Sequence, residues 1–150
     1  MSQENVEVVR RFESLMVPSL EEEDASAREN RLRQVLDLLD PKVAFHATRS
    51  LPHGGDYVGH DSFLKMGEQF RELWNLSDGV ELDYIDAGGD KVITLAAFTI
   101  ESRHTGRSVP VQMVEVVTVR DGKITELVAY YFDTVPIVEA GGGVMGRHRE

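Results

Sequence analysis

Apolar residues recur every three to four positions in the first half of the chain and every second position from residue 80 onward. Val6, Val9 and Phe12, with Val8 and Leu15 beside them, predict an amphipathic helix over about residues 3–17, closed by Pro18. Leu32, Val35, Leu36 and Leu39 predict a second helix ending at Asp40-Pro41, with Pro18–Arg28 as a linker or helical extension. Val43–Thr48 reads as a short strand. Leu51–His60 reads as a turn-rich segment, because Gly54, Gly55 and Gly59 permit positive φ and close backbone approach. Phe63, Met66, Phe70 and Trp74 form the apolar stripe of a third helix, with Asp61 or a neighbour as its cap.

The period then changes. Val80–Ile85, Lys91–Ser102, Val109–Val119 and Ile124–Asp133 predict four strands separated by short polar turns. Asp121-Gly122 is a strong hairpin signal, since both central positions of that turn need positive φ. Sequential strands with short turns predict an antiparallel meander. Helices first and strands last predict an α+β fold in which helices cover one face of a bent sheet. Residues 1–140 read as one domain. Residues 141–150, which begin Gly141-Gly142-Gly143, read as a flexible tail.

Composition narrows the function classes. A chain of 150 residues with 41% hydrophobic content suits a single core. It has no cysteine, so disulfides, thiolate catalysis and cysteine-based metal sites are excluded. Its 26 acidic residues against 16 Lys and Arg leave a net charge of -10, which disfavours nucleic acid and anionic membrane surfaces. No run approaches the ~20 apolar residues of a membrane span. The polar start Met1–Asn5 lacks the basic and apolar segments of a signal peptide, so a cytoplasmic location is expected.

Strand alternation nominates candidate site residues. Val111, Met113, Glu115, Val117 and Val119 share a face, which makes Glu115 a lone acid in an apolar row. Leu127, Ala129, Tyr131 and Asp133 share a face of the last strand, opposite Ile124, Glu126, Val128, Tyr130 and Phe132. A carboxylate among apolar groups resists ionisation and can serve as an acid or base near neutral pH. Asp133 could equally be solvated at a strand end, and Glu115 could pair with Arg103 or Arg120. His46, His53 and His60 are spaced by seven residues, unlike a dense metal motif, and are read as pocket-lining or loop-bracing groups with no metal. Tyr57, Tyr130 and Tyr131 can donate to a substrate oxygen, or else fill the core or a dimer interface. Phe63 and Trp74 are apolar pocket contacts or plain core.

Several segments together resemble one family. Glu4–Phe12, Leu38–Val43, Pro52–Asp61, Val119–Ile124 and Tyr131–Asp133 are similar to the first helix, the approach to the first strand, the loop before the third helix and the final hairpin of SnoaL-like proteins, within the nuclear transport factor 2-like superfamily. The resemblance spans about residues 3–135. It implies a cone-shaped curved sheet closed by N-terminal helices over a deep pocket, and frequent homodimers through the sheet. Family members include polyketide cyclases, ketosteroid isomerase-like enzymes, dehydratases, epoxide hydrolases and binding proteins, so the fold does not select a chemistry.

Asp133 matches the final-strand Asp of limonene epoxide hydrolases, but Ala96–Thr99 lacks the Arg and Asp that complete their arrangement. Polyketide cyclases use a late-strand carboxylate for aldol closure, and Glu115 stands where they carry histidine. The resulting expectation is a cofactor-independent isomerase or aldol-type cyclase acting on an apolar oxygenated small molecule. Asp133 would move the proton, and Tyr131, His46 or His53 would bind the carbonyl oxygen. The alternatives are a non-catalytic ligand-binding protein and a structural homodimer with a filled pocket.

Overall fold

A computed structural model describes residues 2–17, 24–77 and 79–142. Helix α1 (Ser2–Met16) buries Val6, Val9 and Phe12 along one stripe. Pro18 and most of the acidic run after it lie outside the described residues. Helix α2 (Ala25–Asp37) starts where Asp24 accepts a hydrogen bond from the Ala27 amide at 2.7 Å. Buried Arg31 on α2 reaches the Leu15 carbonyl at 3.3 Å and ties the two helices together.

Strand β1 (Leu39–Ala47) begins earlier than the sequence pattern predicts. Pro41 disfavours helical backbone at Asp40. Leu39 therefore leaves the helix and pairs in parallel with Ile124. The glycine-rich segment holds a short strand, β2 (Gly55–Val58), antiparallel to β1. Helix α3 (His60–Leu73) follows Gly59, which makes no side-chain cap, and Asp61 lies inside its first turn. Trp74 ends that stripe as the first residue of β3 (Trp74–Leu76) and not as a helical residue.

Strands β4 (Glu81–Asp86), β5 (Lys91–Ser102), β6 (Ser108–Arg120) and β7 (Lys123–Tyr131) form the expected meander. The β6–β7 hairpin turns at Asp121 and Gly122, with φ of 53° and 75°. The sheet runs β2-β1-β7-β6-β5-β3, with β4 also on β5, and every pairing is antiparallel except β1 with β7. A register shift at Thr118/Val119 turns Ile124 inward to join Leu127 in the core. Strict alternation would put Ile124 on the other face; the bulge adds one residue and reverses the phase.

The inward row is Val92, Thr94, Ala96, Phe98 and Ile100 on β5, Val111 to Val119 by twos on β6, and Leu127, Ala129 and Tyr131 on β7. Helix α1 packs across this face near β4–β7, and α3 packs near β1–β3. Two apolar clusters result. One gathers Val9, Phe12, Val35, Phe63 and Val117; the other gathers Leu51, Trp74, Ile100, Val111 and Ile137. A helix absent from the sequence reading, α4 (Val135–Ala140), contributes Ile137 and Ala140 to the second cluster. Gly141, assigned to the tail by its composition, is buried against Pro52 and Trp74. Residues 143–150 lie outside the described residues. No helix among the described residues is long and apolar enough to cross a membrane.

Candidate active site

A cavity of about 180 Å³ lies between the two clusters. Its walls are largely apolar, with Phe12, Phe63, Met66, Phe70, Phe98 and Met113 among them. Four polar side chains reach it: Glu13 from α1, His53 from the β1–β2 loop, Glu115 from β6 and Tyr131 from β7. A cavity of ~150 Å³ is enough for benzene, so this one takes a single substituted ring.

Glu13 lies on the buried side of α1, continuing the stripe of Val6 and Val9. Glu115 projects inward because β6 alternates, with Thr94 and Ala129 directly beside it on the neighbouring strands. Both carboxyls are almost fully buried, at 9% and 8% exposure. Burial and then repulsion from Glu115 hold Glu13 well above the ordinary glutamate range. Burial also raises Glu115, opposed by its hydrogen bond with Glu13. The two act as one unit that holds a shared proton. Oε1 of Glu13 is buried without a hydrogen-bond partner.

His53 is held by a loop that only glycine can close. The Gly54 amide donates to Leu51 O at 3.0 Å, and a Cβ on Gly54 would lie 1.8 Å from Thr48 O. The Tyr57 hydroxyl lies 3.2 and 3.1 Å from the His53 and Gly54 carbonyls and 3.1 Å from Gln69 Oε1. Inside, His53 Nε2 is 3.0 Å from Tyr131 Oη, and Trp74 Nε1–H donates to His53 Nδ1 at 3.2 Å. Phe70 packs edge-on to the imidazole, with centroids 5.0 Å apart. Burial, and secondarily the Glu115 charge, push the Tyr131 hydroxyl above its ordinary range, which keeps it protonated.

The nominated residues separate into three groups. His53, Phe63, Glu115 and Tyr131 meet at the cavity, and Trp74 stands directly behind His53. Tyr57 and His60 brace the backbone: His60 Nε2 bonds Leu39 O at 3.1 Å. Asp133 and His46 are elsewhere. Strand β7 ends at Tyr131, so Asp133 is exposed on the following turn, where it accepts from the Val135 amide at 3.3 Å. His46 projects from the outer face of β1, between Asp56 at 2.7 Å and Glu126 at 3.3 Å. The carboxyls that line the cavity come from positions 13 and 115, and Asp133 is not among its lining residues. Glu13 escaped the sequence reading, although its signal was present as an acid in register with Val6 and Val9. Among the described residues, no three His, Asp or Glu side chains converge in the manner of a metal site.

Comparison with known proteins bears on the fold and the family. A search of curated proteins finds no match. A nuclear transport factor 2-like protein from Burkholderia xenovorans LB400 superposes with a TM-score of 0.79 at 21% identity, over 94% of this chain and 98% of its own. A candidate isomerase from Rhodopseudomonas palustris gives 0.70 at 15% identity, over 90% and 96%. TerC, co-crystallised with polyporic acid, gives 0.63 at 20% identity, over 88% and 98%. Residues 24–127, most of the chain, match the SnoaL-like domain. The curved sheet, the helices closed over it and this match agree: the fold is that of nuclear transport factor 2-like proteins, and the chain belongs to the SnoaL-like family.

Proposed function

We propose that the cavity is a cofactor-independent acid–base site that moves a proton on a small, largely apolar, oxygenated molecule, in an isomerisation or an aldol-type ring closure. The observation that carries this reading is the Glu13–Glu115 pair, buried in an apolar cavity of ligand size. A carboxylate kept from water there is a stronger base than a solvated one and is poised nearer neutral pH. Glu115 takes a proton from the carbon beside a carbonyl, and the bond's electrons move onto the carbonyl oxygen. The Tyr131 hydroxyl stabilises that oxygen as its charge grows. Return of the proton at a different carbon completes an isomerisation; attack of the enolate carbon on a second carbonyl forms the ring bond, and the abstracted proton passes from Glu115 to the new alkoxide. TerC with polyporic acid and the candidate isomerase from R. palustris support a ligand-holding use of this fold.

Deuterium uptake from D2O at the α-carbons of cyclohexanone, followed by NMR, tests this. Acceleration by the wild-type protein and a loss of ~100-fold or more in Glu115→Gln are expected. Cyclohexanone that binds in the cavity but exchanges no faster than in buffer would sink the proton-transfer reading in favour of a non-catalytic binding protein. The open cavity argues against a filled-pocket structural role.

The expected homodimer belongs to the same proposal. The outer sheet face carries exposed Leu95, Tyr130 and Phe132 beside one another, an apolar surface suited to a second copy of the sheet.

A further inference from the structure

We propose that Trp74 fixes the direction of a buried Trp74–His53–Tyr131 chain, so that Tyr131 offers its proton to the cavity and the site takes ligands that place a bare acceptor oxygen there. The substrate class named is a small ketone or its enolate, and in this the inference rests on the proton-transfer reading above.

The argument is one of donors and acceptors. An indole N–H can only donate. Trp74 donates to His53 Nδ1, so that nitrogen must present its lone pair. A neutral imidazole then carries its proton on Nε2. Nε2–H faces Tyr131 Oη at 3.0 Å, so Tyr131 is the acceptor in that bond. The opposite direction, with Tyr131 donating to Nε2, would require His53 to accept at both nitrogens, which a neutral ring cannot do. The hydroxyl proton of Tyr131 is left to meet an acceptor in the cavity that Tyr131 lines.

The surroundings hold this direction in place. His53 is 3% exposed and Trp74 fully buried, so both partners of the Nδ1 bond are held in the packed interior. Phe70, Trp74 and Tyr131 enclose the imidazole from three sides. Trp74 is itself anchored: its carbonyl accepts from Arg103 Nε at 3.3 Å, its backbone pairs with Ser102, and Gly141 leaves room for its ring. From α1, Glu13 brings to the same cavity a buried Oε1 without a hydrogen-bond partner, an acceptor wherever the pair's shared proton lies elsewhere. The cavity is therefore polarised. It offers a donor from β7 and acceptors from α1 and β6. A ketone with its oxygen toward Tyr131 and an acidic C–H or O–H toward Glu13 and Glu115 matches both. Trp74 does not touch the cavity and is a positioning residue.

Two measurements on the full-length protein test this. The first is the ¹⁵N NMR signature of His53 in histidine-labelled protein, which distinguishes a protonated from a bare ring nitrogen. The expected result is Nε2–H with bare Nδ1 in the wild type, and mixed tautomers in Trp74→Phe. The second compares binding of cyclohexanone with methylenecyclohexane, which has the same shape without the oxygen. The preference for the ketone is expected to fall about 5- to 10-fold in Tyr131→Phe. A wild-type His53 protonated on Nδ1, or a ketone preference unchanged in Tyr131→Phe, would overturn the inference even where Trp74→Phe fails to fold. Absence of α-proton exchange, with the tautomer and the ketone preference as expected, would instead overturn the proton-transfer reading and leave the polarity of the chain standing.

Discussion

Glu13 on the first helix and Glu115 on the sixth strand share a carboxyl–carboxyl hydrogen bond, and the pair forms a polar seam between α1 and the inner face of the sheet. The bond needs a proton at a pH where free glutamates have lost theirs. Folding of α1 onto the sheet is therefore linked to proton binding.

That linkage has a definite sign. Burial, above all, holds Glu13 protonated in the folded chain to a pH above the ordinary glutamate value. Between the two values the folded state binds more protons than the unfolded state, so stability falls as pH rises. The contribution is fully present below the unfolded value and is lost through the folded one. Glu13→Gln keeps a donor for Glu115 without the titrating proton. Urea unfolding is expected to find it close to wild type at pH 4 and more stable at pH 8. The gain is about 1.4 kcal/mol for each pH unit over which the wild-type pair outlasts a free glutamate. Equal urea midpoints for the two proteins at pH 8 would contradict the linkage.

Gly67 lies within α3 at the cavity wall, and a Cβ built there meets nothing within 4 Å. Gly67→Ala should stabilise the helix by about 1 kcal/mol, read as a rise of about 3 °C in Tm. Gly67→Leu should fill the cavity and abolish cyclohexanone binding with the fold intact by circular dichroism. Undiminished binding would mean that the ligand sits elsewhere on the protein.

Gly54 is the opposite case. A methyl group there would overlap the Thr48 carbonyl, which is backbone and cannot rotate away. Gly54→Ala is expected to cost about 3 kcal/mol or more, and to displace His53 from Tyr131. Chemical denaturation measures the first effect, and loss of the wild-type His53 ¹⁵N signature measures the second. A variant of native stability would contradict the packing described for this loop.

Phe132 is 84% exposed and Tyr130 58% exposed on the outer face of the sheet. Phe132→Asp removes apolar surface without touching the core. Light scattering after gel filtration is expected to find a dimer in the wild type and a monomer in Phe132→Asp, with unchanged Tm for the isolated fold. A monomeric wild type at tens of micromolar would remove the dimer from the proposal.

How much of this was legible beforehand differs from residue to residue. The period-two rows containing Glu115 and Tyr131 were visible, because a strand's pleat assigns faces from spacing alone. Which face turned inward was not visible, because that depends on where α1 and α3 come to rest. Ile124 was assigned to the wrong face, because a bulge is set by the pairing of β6 with β7 and leaves no mark on β7 itself. Asp133 was expected in the pocket by extending that alternation two residues past the point where the strand ends. His46 was expected there too, but β1 turns it to the outer face, where Asp56 and Glu126 meet it.

The chain's own pattern determined the first three helices, the meander, the Asp121-Gly122 hairpin and the resemblance to the SnoaL-like family, since local backbone preference and side-chain periodicity act over a few residues. Tertiary structure alone decided the candidate site. Glu13 and Glu115, or Trp74, His53 and Tyr131, lie far apart along the chain and become chemically one group only when the packed core excludes water from them. Desolvation and hydrogen-bond direction are properties of that packed arrangement, and no spacing in the sequence encodes them.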